Sequence, residues 1–324
     1  MKTNFERGMT QRKPSITVVV PVYNSEGTLR ELVTRLERAL GPAAEQFEVI
    51  LLNDGSRDKS WDVIRELAGR HSWVRGVCMM RNYGQHNAVL CGVRLARYDV
   101  TVTIDDDLQH PPEEIPKLLN KLAEGYDVVY GTPLRMEHSI SRNLLSRVTK
   151  LGMSMAVGQR IIVEINAFRA LRTDLRKSFD GYQAPSLLFD AILGWGTTRF
   201  ASIKVQHAPR TIGESNYTPW RLFNQLLLLI TGYSTGPLRL GSIIGFVFTF
   251  LGFALLVYVL VLRLMVGSPL GFAFQMSVLT IFGGAQLFIL GIMGEYLARM
   301  FNRVMDRPTY TIRETLGYEP GRDP

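Results

Sequence analysis

Charged residues are almost absent from one long stretch of the chain. Between residues 224 and 298 only Arg239, Arg263 and Glu295 carry a charge, whereas 20% of the whole 324-residue chain is charged. A fully water-soluble globule does not keep so long a stretch free of charge. Because 46% of all residues are apolar and no repeat occurs, a disordered or fibrous chain is excluded as well. The composition therefore predicts attachment to a membrane.

Cysteine is also scarce, and its scarcity argues against two common kinds of stabilisation. Cys78 and Cys91 are the two cysteines of the chain, and neither has a second Cys or a His at the spacing of a zinc site. Neither a zinc site nor a disulfide framework is predicted. Both thiols are expected to be buried and free.

The first fifteen residues are polar and contain no apolar core. No secretory signal peptide is therefore predicted, and the first domain is expected in the cytoplasm. The net charge of +8 raises the question of nucleic acid, but the basic residues are scattered rather than gathered on a face with interleaved aromatic residues. No nucleic-acid partner is predicted, and anionic lipids and phosphorylated substrates are expected instead.

The uncharged stretch contains two apolar segments of membrane-spanning length. Residues 240–262 and 264–294 are free of charge, and about 20 apolar residues cross the hydrocarbon core of a bilayer. The glycine-containing turn at 267–271 separates them, so two spans forming a hairpin in the inner membrane are predicted; a pair of buried core helices is the alternative. Arginines flank both outer ends, which places both termini in the cytosol. These arginines are Arg221, Arg239, Arg299, Arg303 and Arg307.

The segment that precedes the first span is apolar on one face. Residues 220–225 and 226–230 have the pattern of a helix, and Tyr233 follows it. A helix with one strongly apolar face is typical of an interfacial helix that lies on the bilayer surface. A core helix of the soluble domain is the alternative interpretation.

The first part of the chain alternates short β-branched runs with helical patterns. Repeated strand and helix units predict an α/β domain with a mostly parallel sheet that is covered by helices on both faces. The predicted strands are 16–20, 47–52, 74–79, 100–104 and 127–130, and the helical patterns are Leu29/Leu32/Leu36/Leu40, Trp61/Ile64/Leu67/Ala68 and Ile115/Leu118/Leu119/Leu122.

Polar residues follow each of the first four predicted strands. Ligands of such sheets bind at the carboxyl ends of the strands, so these four segments are expected to outline one site. Taken singly, each segment also has a structural explanation as a tight turn or a helix cap. The four segments are 21–26, 53–56, 81–84 and 105–110.

Three consecutive aspartates are the sharpest feature of these segments. Adjacent carboxylates at the end of a buried strand repel one another unless a cation compensates them. Asp105 and Asp107 are two residues apart and point the same way on an extended chain, and Gln109 continues that side. Oxygen ligands of this kind suit Mg²⁺ or Mn²⁺. A solvated acidic turn is the alternative, and Asp106 is expected to face away.

Together these segments resemble a known enzyme family. The strings Val-Val-Val-Pro-Val-Tyr-Asn-Ser-Glu, Asn-Asp-Gly-Ser, Arg-Asn-Tyr-Gly-Gln-His-Asn-Ala and Asp-Asp-Asp-Leu-Gln-His-Pro-Pro-Glu are similar to family 2 glycosyltransferases. More narrowly, they resemble the polyprenyl-phosphate sugar transferases, which include dolichol-phosphate mannose synthase and the undecaprenyl-phosphate glucosyl and aminoarabinose transferases. The resemblance runs from residue 16 to residue 308 and includes Gly213-Glu214-Ser215 followed by Tyr217. It implies a GT-A fold and inverting transfer of a monosaccharide from a nucleotide-sugar to a polyprenyl phosphate, most simply undecaprenyl phosphate.

The resemblance also implies roles for individual residues. The residues implied to hold the nucleotide are Pro21, Tyr23, Glu26, Asp54, Arg81 and Asp105. The residues implied to hold Mg²⁺ or Mn²⁺ on the diphosphate are Asp105, Asp107 and Gln109. The residues implied to bind the acceptor phosphate are Arg135, Arg142 and Ser146. The residues implied to act most directly in the transfer are Asp107, Arg142 and Arg210, the last of them from a flexible loop.

Two positions depart from the family pattern. Asn216 stands where the family usually has Lys, and Val163 stands where relatives carry Asp before the residues that match Phe168-Arg169. Two other functions therefore stay open: a membrane adaptor that binds nucleotide without transferring sugar, and a processive polysaccharide synthase. The synthase fits less well, because it needs more spans and a Gln-x-x-Arg-Trp motif, whereas here the order is Trp220-Arg221.

The chain is thus predicted to have four regions. They are a cytosolic GT-A domain at 1–215, an interfacial helix region at 216–238, two transmembrane helices at 239–298 and a cytosolic tail at 299–324. Glycines in the second span would let spans of different protomers pack closely, so a homo-oligomer is compatible with the sequence. These glycines are Gly283, Gly284, Gly291 and Gly294.

Overall fold

The structure is a computed structural model that describes residues 13–134, 165–183, 188–208, 236–266, 271–305 and 307–318. The chain divides into two compact units, which are presented one at a time. The first unit contains the strands of the described residues, and the second contains two long helices.

The first unit alternates strands and helices, as the sequence predicts. Its strands are β1 (Ile16–Val22), β2 (Phe47–Asn53), β3 (Val74–Met79), β4 (Val100–Thr103), β5 (Val128–Pro133), β6 (Arg169–Arg172), β7 (Phe200–Val205) and β8 (Ile312–Leu316). Its helices are α1 (Leu29–Leu40), α2 (Ser60–Arg70), α3 (Gln85–Leu95), α4 (Ile115–Ala123) and α5 (Phe189–Gly196). Short 3₁₀ turns occupy Pro112–Glu114 and Thr173–Ser178.

The strands form one sheet in the order β7-β5-β6-β4-β1-β2-β3-β8. β1 pairs in parallel with both β2 and β4, β2 with β3, and β5 with β7, which confirms the predicted mostly parallel sheet. β6 lies antiparallel between β4 and β5, and β8 is antiparallel to β3 at the edge. The order of the chain therefore reverses between β1 and β4, and such a reversal opens a crevice at the carboxyl ends of the two strands.

Helices cover both faces of the sheet. The side chains of β1 alternate, because successive residues of a strand point to opposite faces. Val18 and Val20 join a buried cluster with apolar residues of α1, α2 and α4, whereas Val19 joins a second cluster with α3. Cys78 and Cys91 are buried and free, as expected.

The sequence does not reveal α3 by its periodicity, and the structure shows why. Eight of its residues are buried, and they include the small residues Ala88, Cys91 and Gly92. A helix that is buried on most of its circumference has no polar stripe to contrast with the apolar one. Its apolar residues therefore do not stand out at helical spacing.

The second unit contains α6 (Gly236–Val266) and α7 (Phe272–Val304). Both helices are long and apolar enough to cross a membrane, with candidate spans at Leu238–Val259 and Ile281–Ala298. Almost none of either span is buried against protein, which argues against the alternative of two buried core helices. The helices touch each other, and the rings of Phe248 and Phe282 lie 5.6 Å apart. The predicted interfacial region lies outside the described residues except for its last three positions, which belong to α6.

Candidate nucleotide and metal site

A cavity of about 280 Å³ opens at the carboxyl ends of β1 to β4. It lies where the chain order reverses, so it occupies the position at which sheets of this kind bind ligands. Four separate chain segments contribute to it, as the sequence predicts. The lining residues are Pro21, Val22, Tyr23, Asp54, Asn82, Gly84, Gln85, Asp105, Asp106 and Asp107.

Asp105 and Asp107 both line this cavity. The side-chain amide of Gln85 donates a hydrogen bond of 2.6 Å to Oδ1 of Asp105. Burial, and then the negative charges of Asp107 and Asp106, raise the pKa of Asp105 to about 7. A nearby positive charge stabilises the ionised form of a carboxyl group, so this end of the cavity favours a cation.

Asp106 does not face away, contrary to the expectation from strand alternation, because the chain leaves the extended conformation directly after β4. Its side chain lines the same cavity, and its Oδ2 accepts a hydrogen bond of 3.1 Å from the backbone N–H of Tyr23. Its backbone carbonyl accepts a bond of 2.7 Å from the hydroxyl of Thr28. Asp106 thereby joins the loop after β4 to the loop after β1.

A buried arginine lies behind the acidic segment. Arg169 of β6 is 2% exposed, donates from Nε to the hydroxyl of Thr103, and forms an ion pair with Asp190 of α5. Tyr130 of β5 donates a bond of 2.9 Å to the same carboxylate of Asp190. The positive charge of Arg169 lowers the pKa of Asp105 and so partly offsets its burial. No role is predicted for Arg169 from the sequence, in which Phe168-Arg169 only matches a pair of residues in the family.

Asp54 shapes the cavity through the backbone. Its Oδ1 accepts a bond of 2.7 Å from the N–H of Tyr83, and its Oδ2 accepts one of 2.8 Å from the N–H of Gly84. Burial raises the pKa of its carboxyl group, and these two donors lower it. The neighbouring Gly55 has a φ of +68°, and a Cβ at this position would lie 2.5 Å from the backbone nitrogen of Asn82. The loop of residues 81–84, here called the donor loop, is thus fixed against the end of β2.

The other residues predicted for the site fall into three groups. Pro21 and Tyr23 line the cavity, and Tyr23 is 45% exposed. Glu26, Arg81 and Gln109 do not line it: Glu26 accepts from the N–H of Lys59, Arg81 stacks on the ring of Tyr83, and the backbone N–H of Gln109 binds Asp107. The positions that lie outside the described residues are Arg135, Arg142, Ser146, Val163, Arg210 and Asn216.

The cavity fits a divalent cation whose coordination shell is completed by groups from outside the protein. In the part of the chain that is described, no group of three or more His, Cys, Asp and Glu side chains is arranged to hold a metal ion alone. Mg²⁺ and Mn²⁺ are commonly held by one or two carboxylates while water and substrate phosphates complete the shell. Asp105 and Asp107 supply two carboxylates of this kind, and the pKa of Asp105 is raised by burial first and then by the negative charges of Asp107 and Asp106.

Comparison with known proteins identifies relatives over almost the whole length. Residues 17–191 match the family described as Glycosyl transferase family 2. The undecaprenyl-phosphate 4-deoxy-4-formamido-L-arabinose transferase of Pseudomonas aeruginosa strain LESB58 is 37% identical over 95% of this chain and 92% of its own. The protein of the same name from Yersinia enterocolitica is 35% identical over 96% of each chain. A crystal structure of glucosyl-3-phosphoglycerate synthase from Mycobacterium tuberculosis covers 67% of this chain and 76% of its own, at 18% identity and a TM-score of 0.49.

Proposed function

The chain belongs to glycosyl transferase family 2, and from that premise we propose that it transfers a monosaccharide from a nucleotide-sugar to undecaprenyl phosphate, with inversion at the anomeric carbon. The observation that carries the proposal is the placement of Asp105 and Asp107 in one cavity at the carboxyl edge of the sheet. The same chain has two apolar helices long enough to cross a membrane, which would hold the protein beside a lipid acceptor. The relatives named for transfer to undecaprenyl phosphate support the choice of acceptor.

The nucleotide is expected to bind beside Tyr23 and Asp54. The exposed ring of Tyr23 offers a face on which a base can stack. Each oxygen of Asp54 accepts one backbone N–H and keeps a lone pair that can accept a second bond from a base. Asp105 and Asp107 would hold Mg²⁺ or Mn²⁺, which when bound neutralises the charge that develops on the departing nucleoside diphosphate.

The acceptor needs no strong general base. A polyprenyl phosphate is anionic at neutral pH, so one of its oxygens can attack the anomeric carbon directly. The new bond joins this oxygen to the sugar, and the bond from the sugar to the diphosphate breaks on the opposite side, which inverts the carbon. Arg135, Arg142, Ser146 and Arg210 are proposed, from the resemblance alone, to hold the phosphates.

The two apolar helices would keep the site near its lipid acceptor. Confinement to a bilayer surface raises the encounter rate of a protein with a membrane lipid without any new contact. We place the first unit and both chain ends in the cytosol at the inner membrane, because arginines flank the outer ends of both helices. The interfacial helix at 216–238 belongs to the same proposal.

The test is transfer by the purified full-length protein in detergent. Undecaprenyl phosphate, Mn²⁺ and each nucleotide-sugar of a panel are supplied, and the mass of the lipid product is measured by mass spectrometry. One donor is expected to add the mass of one monosaccharide. Asp107→Asn is expected to lower the rate about 100-fold or more, because it removes a charged metal ligand. Asp62→Asn, an exposed change on α2 that affects only a surface pair with Arg65, is expected to leave the rate unchanged.

Two results would contradict the proposal. Retained binding of nucleotide without transfer from any donor would support the adaptor function. A polymeric, lipid-free product would support a processive synthase. A rate of Asp107→Asn equal to that of Asp62→Asn would remove the metal assignment.

A further inference from the structure

The C-terminal strand β8 lies beside the carboxyl end of β3, next to the candidate site. It pairs with β3 from Gly76 to Met79, and the register shifts between Cys78 and Met79. From the sequence, this segment is predicted to belong to a cytosolic tail at 299–324. The structure instead makes it the eighth strand of the sheet.

Both backbone groups of Met80 are bound by this C-terminal segment. The N–H of Met80 donates a bond of 2.9 Å to the carbonyl of Thr311. The guanidinium of Arg313 donates a bond of 3.0 Å to the carbonyl of Met80. Met80 is the residue directly before the donor loop, so the C-terminal segment fixes the point at which this loop begins.

The C-terminal segment is itself firmly anchored. Tyr310, Ile312 and Tyr318 pack on the buried cluster that contains Val77 and Met79 of β3. The ring of Tyr318 also lies 4.7 Å from the guanidinium carbon of Arg75, a buried residue that is paired with Glu48. Because Tyr310 and Tyr318 fix both ends of β8, the strand can restrict the movement of Met80.

The contacts within the donor loop itself come from β2 and α3. Asp54 binds the N–H groups of Tyr83 and Gly84, Gly55 lies against the backbone of Asn82, and Asn87 of α3 donates a bond of 2.7 Å to the carbonyl of Tyr83. These contacts hold the loop from Asn82 onward, whereas the C-terminal segment holds Met80, where the loop begins. Asn82 and Gly84 line the cavity. Their positions therefore depend on where the loop starts as well as on Asp54.

We propose that β8, through Arg313 and Thr311, is a positioning element that holds the donor loop in the conformation that binds the nucleotide. This inference rests on the proposed function. It also assigns a role to the segment after α7, because α7 ends at Val304 and β8, which fixes the loop, begins at Ile312. Arg313 acts through Met80 and does not line the cavity.

The test compares three variants of the full-length protein in detergent. Arg313→Ala removes the bond to Met80, and Arg313→Lys keeps a donor on a long side chain. Glu314→Ala is a matched control on the same strand, and Glu314 forms an ion pair with Arg65 at 3.7 Å. Hydrogen exchange of the amides at 80–84 is measured without ligand. The dissociation constants of uridine and guanosine diphosphate are then measured with Mn²⁺.

Arg313→Ala is expected to raise the rate of hydrogen exchange at 80–84 about fivefold, since one charge-assisted hydrogen bond is lost. The dissociation constant of the diphosphate that the wild type binds should rise by a similar factor. Arg313→Lys should recover most of both effects, Glu314→Ala should match the wild type, and the KM for undecaprenyl phosphate should not change. Unchanged exchange at 80–84 would overturn the proposal, and so would faster exchange spread evenly over all strands. A wild type that binds neither diphosphate would count against the proposed function, whereas the exchange result would still decide the role of β8.

Discussion

At the residue scale, the candidate site combines three adjacent carboxylates that are partly buried. Asp105 is held by Gln85 on one side and lies near the buried Arg169 on another. Neither contact removes the effect of burial, which together with Asp107 and Asp106 raises the pKa of Asp105 to about 7. Since the ordinary pKa of an aspartate is about 4, folding without a cation favours the protonated form of Asp105.

This raised pKa predicts that proton and metal compete for Asp105. The protonated form contributes stability that is fully present below about pH 4 and is lost as the pH rises through 7. The metal-free protein is therefore expected to lose part of its thermal stability between pH 5 and 8, and Mn²⁺ should restore it at pH 8. The affinity for Mn²⁺ should rise about 30-fold between pH 5.5 and 8, because the proton must leave before the metal binds.

Titration calorimetry at several pH values measures this affinity and the protons released. Asp105→Asn should flatten the pH dependence and weaken binding at pH 8. An affinity for Mn²⁺ that does not change with pH in the wild type would contradict the assignment of Asp105.

Much of the site could be predicted at this scale because the prediction needed only local information. Asp54, Asp105 and Asp107 follow parallel strands, and the carboxyl ends of neighbouring parallel strands meet at one edge. Arg169 could not be assigned in the same way. Its side chain reaches Thr103 because β4 and β6 pair antiparallel, which brings together residues 66 positions apart. A local sequence pattern does not predict a pairing of this kind.

At the element scale, α3 connects the packing of the sheet to the site. Its first residue is Gln85, which holds Asp105, and its middle lies directly on β1 and β2. A Cβ at Gly92 would lie 2.3 Å from Cγ1 of Val19 and 2.9 Å from Cδ1 of Leu52. The absence of a side chain at Gly92 therefore sets how closely α3 approaches the sheet.

Gly92→Ala is accordingly expected to destabilise the protein by about 1–3 kcal/mol, because an added methyl group in a packed core forces neighbours to move. The shift of α3 should also weaken Mn²⁺ binding, since it displaces Gln85. Gly69→Ala in α2 is the control: a Cβ there meets nothing within 4 Å, so the change should stabilise the helix by up to about 1 kcal/mol. Denaturant unfolding and Mn²⁺ titration measure both effects. Equal stabilities of the two variants would show that α3 is free to move away from the sheet.

The predicted and observed elements differ most where an element is short or fully buried. The first five strands were predictable because each is a short, mainly apolar segment that contains β-branched residues. β8 was not, because Ile312–Leu316 carries Arg, Glu and Thr in its middle and becomes a strand only by pairing with the edge of β3. Long-range pairing decided the structure of this segment, and local propensity did not.

At the scale of the whole molecule, the course of the chain constrains how it can cross a membrane. β7 and β8 belong to one sheet, and α6 and α7 lie between them in the sequence. Strands of one sheet cannot lie on opposite sides of a bilayer, because an open sheet edge is not tolerated in hydrocarbon. The segment between them must therefore cross an even number of times, which agrees with the hairpin proposed from the uncharged stretch.

With two crossings, Gly271, between α6 and α7, and Glu314, in β8, are expected to lie on opposite sides of the membrane. Each is replaced singly by cysteine in a background where the buried Cys78 and Cys91 have become alanine. In spheroplasts of an expressing bacterium, a membrane-impermeant maleimide should label Gly271→Cys at once and Glu314→Cys only after the membrane is permeabilised. Labelling of both cysteines only after permeabilisation would mean that α6 and α7 do not cross the membrane. Labelling of Glu314→Cys in intact spheroplasts would place the sheet, and the nucleotide site with it, on the outer side.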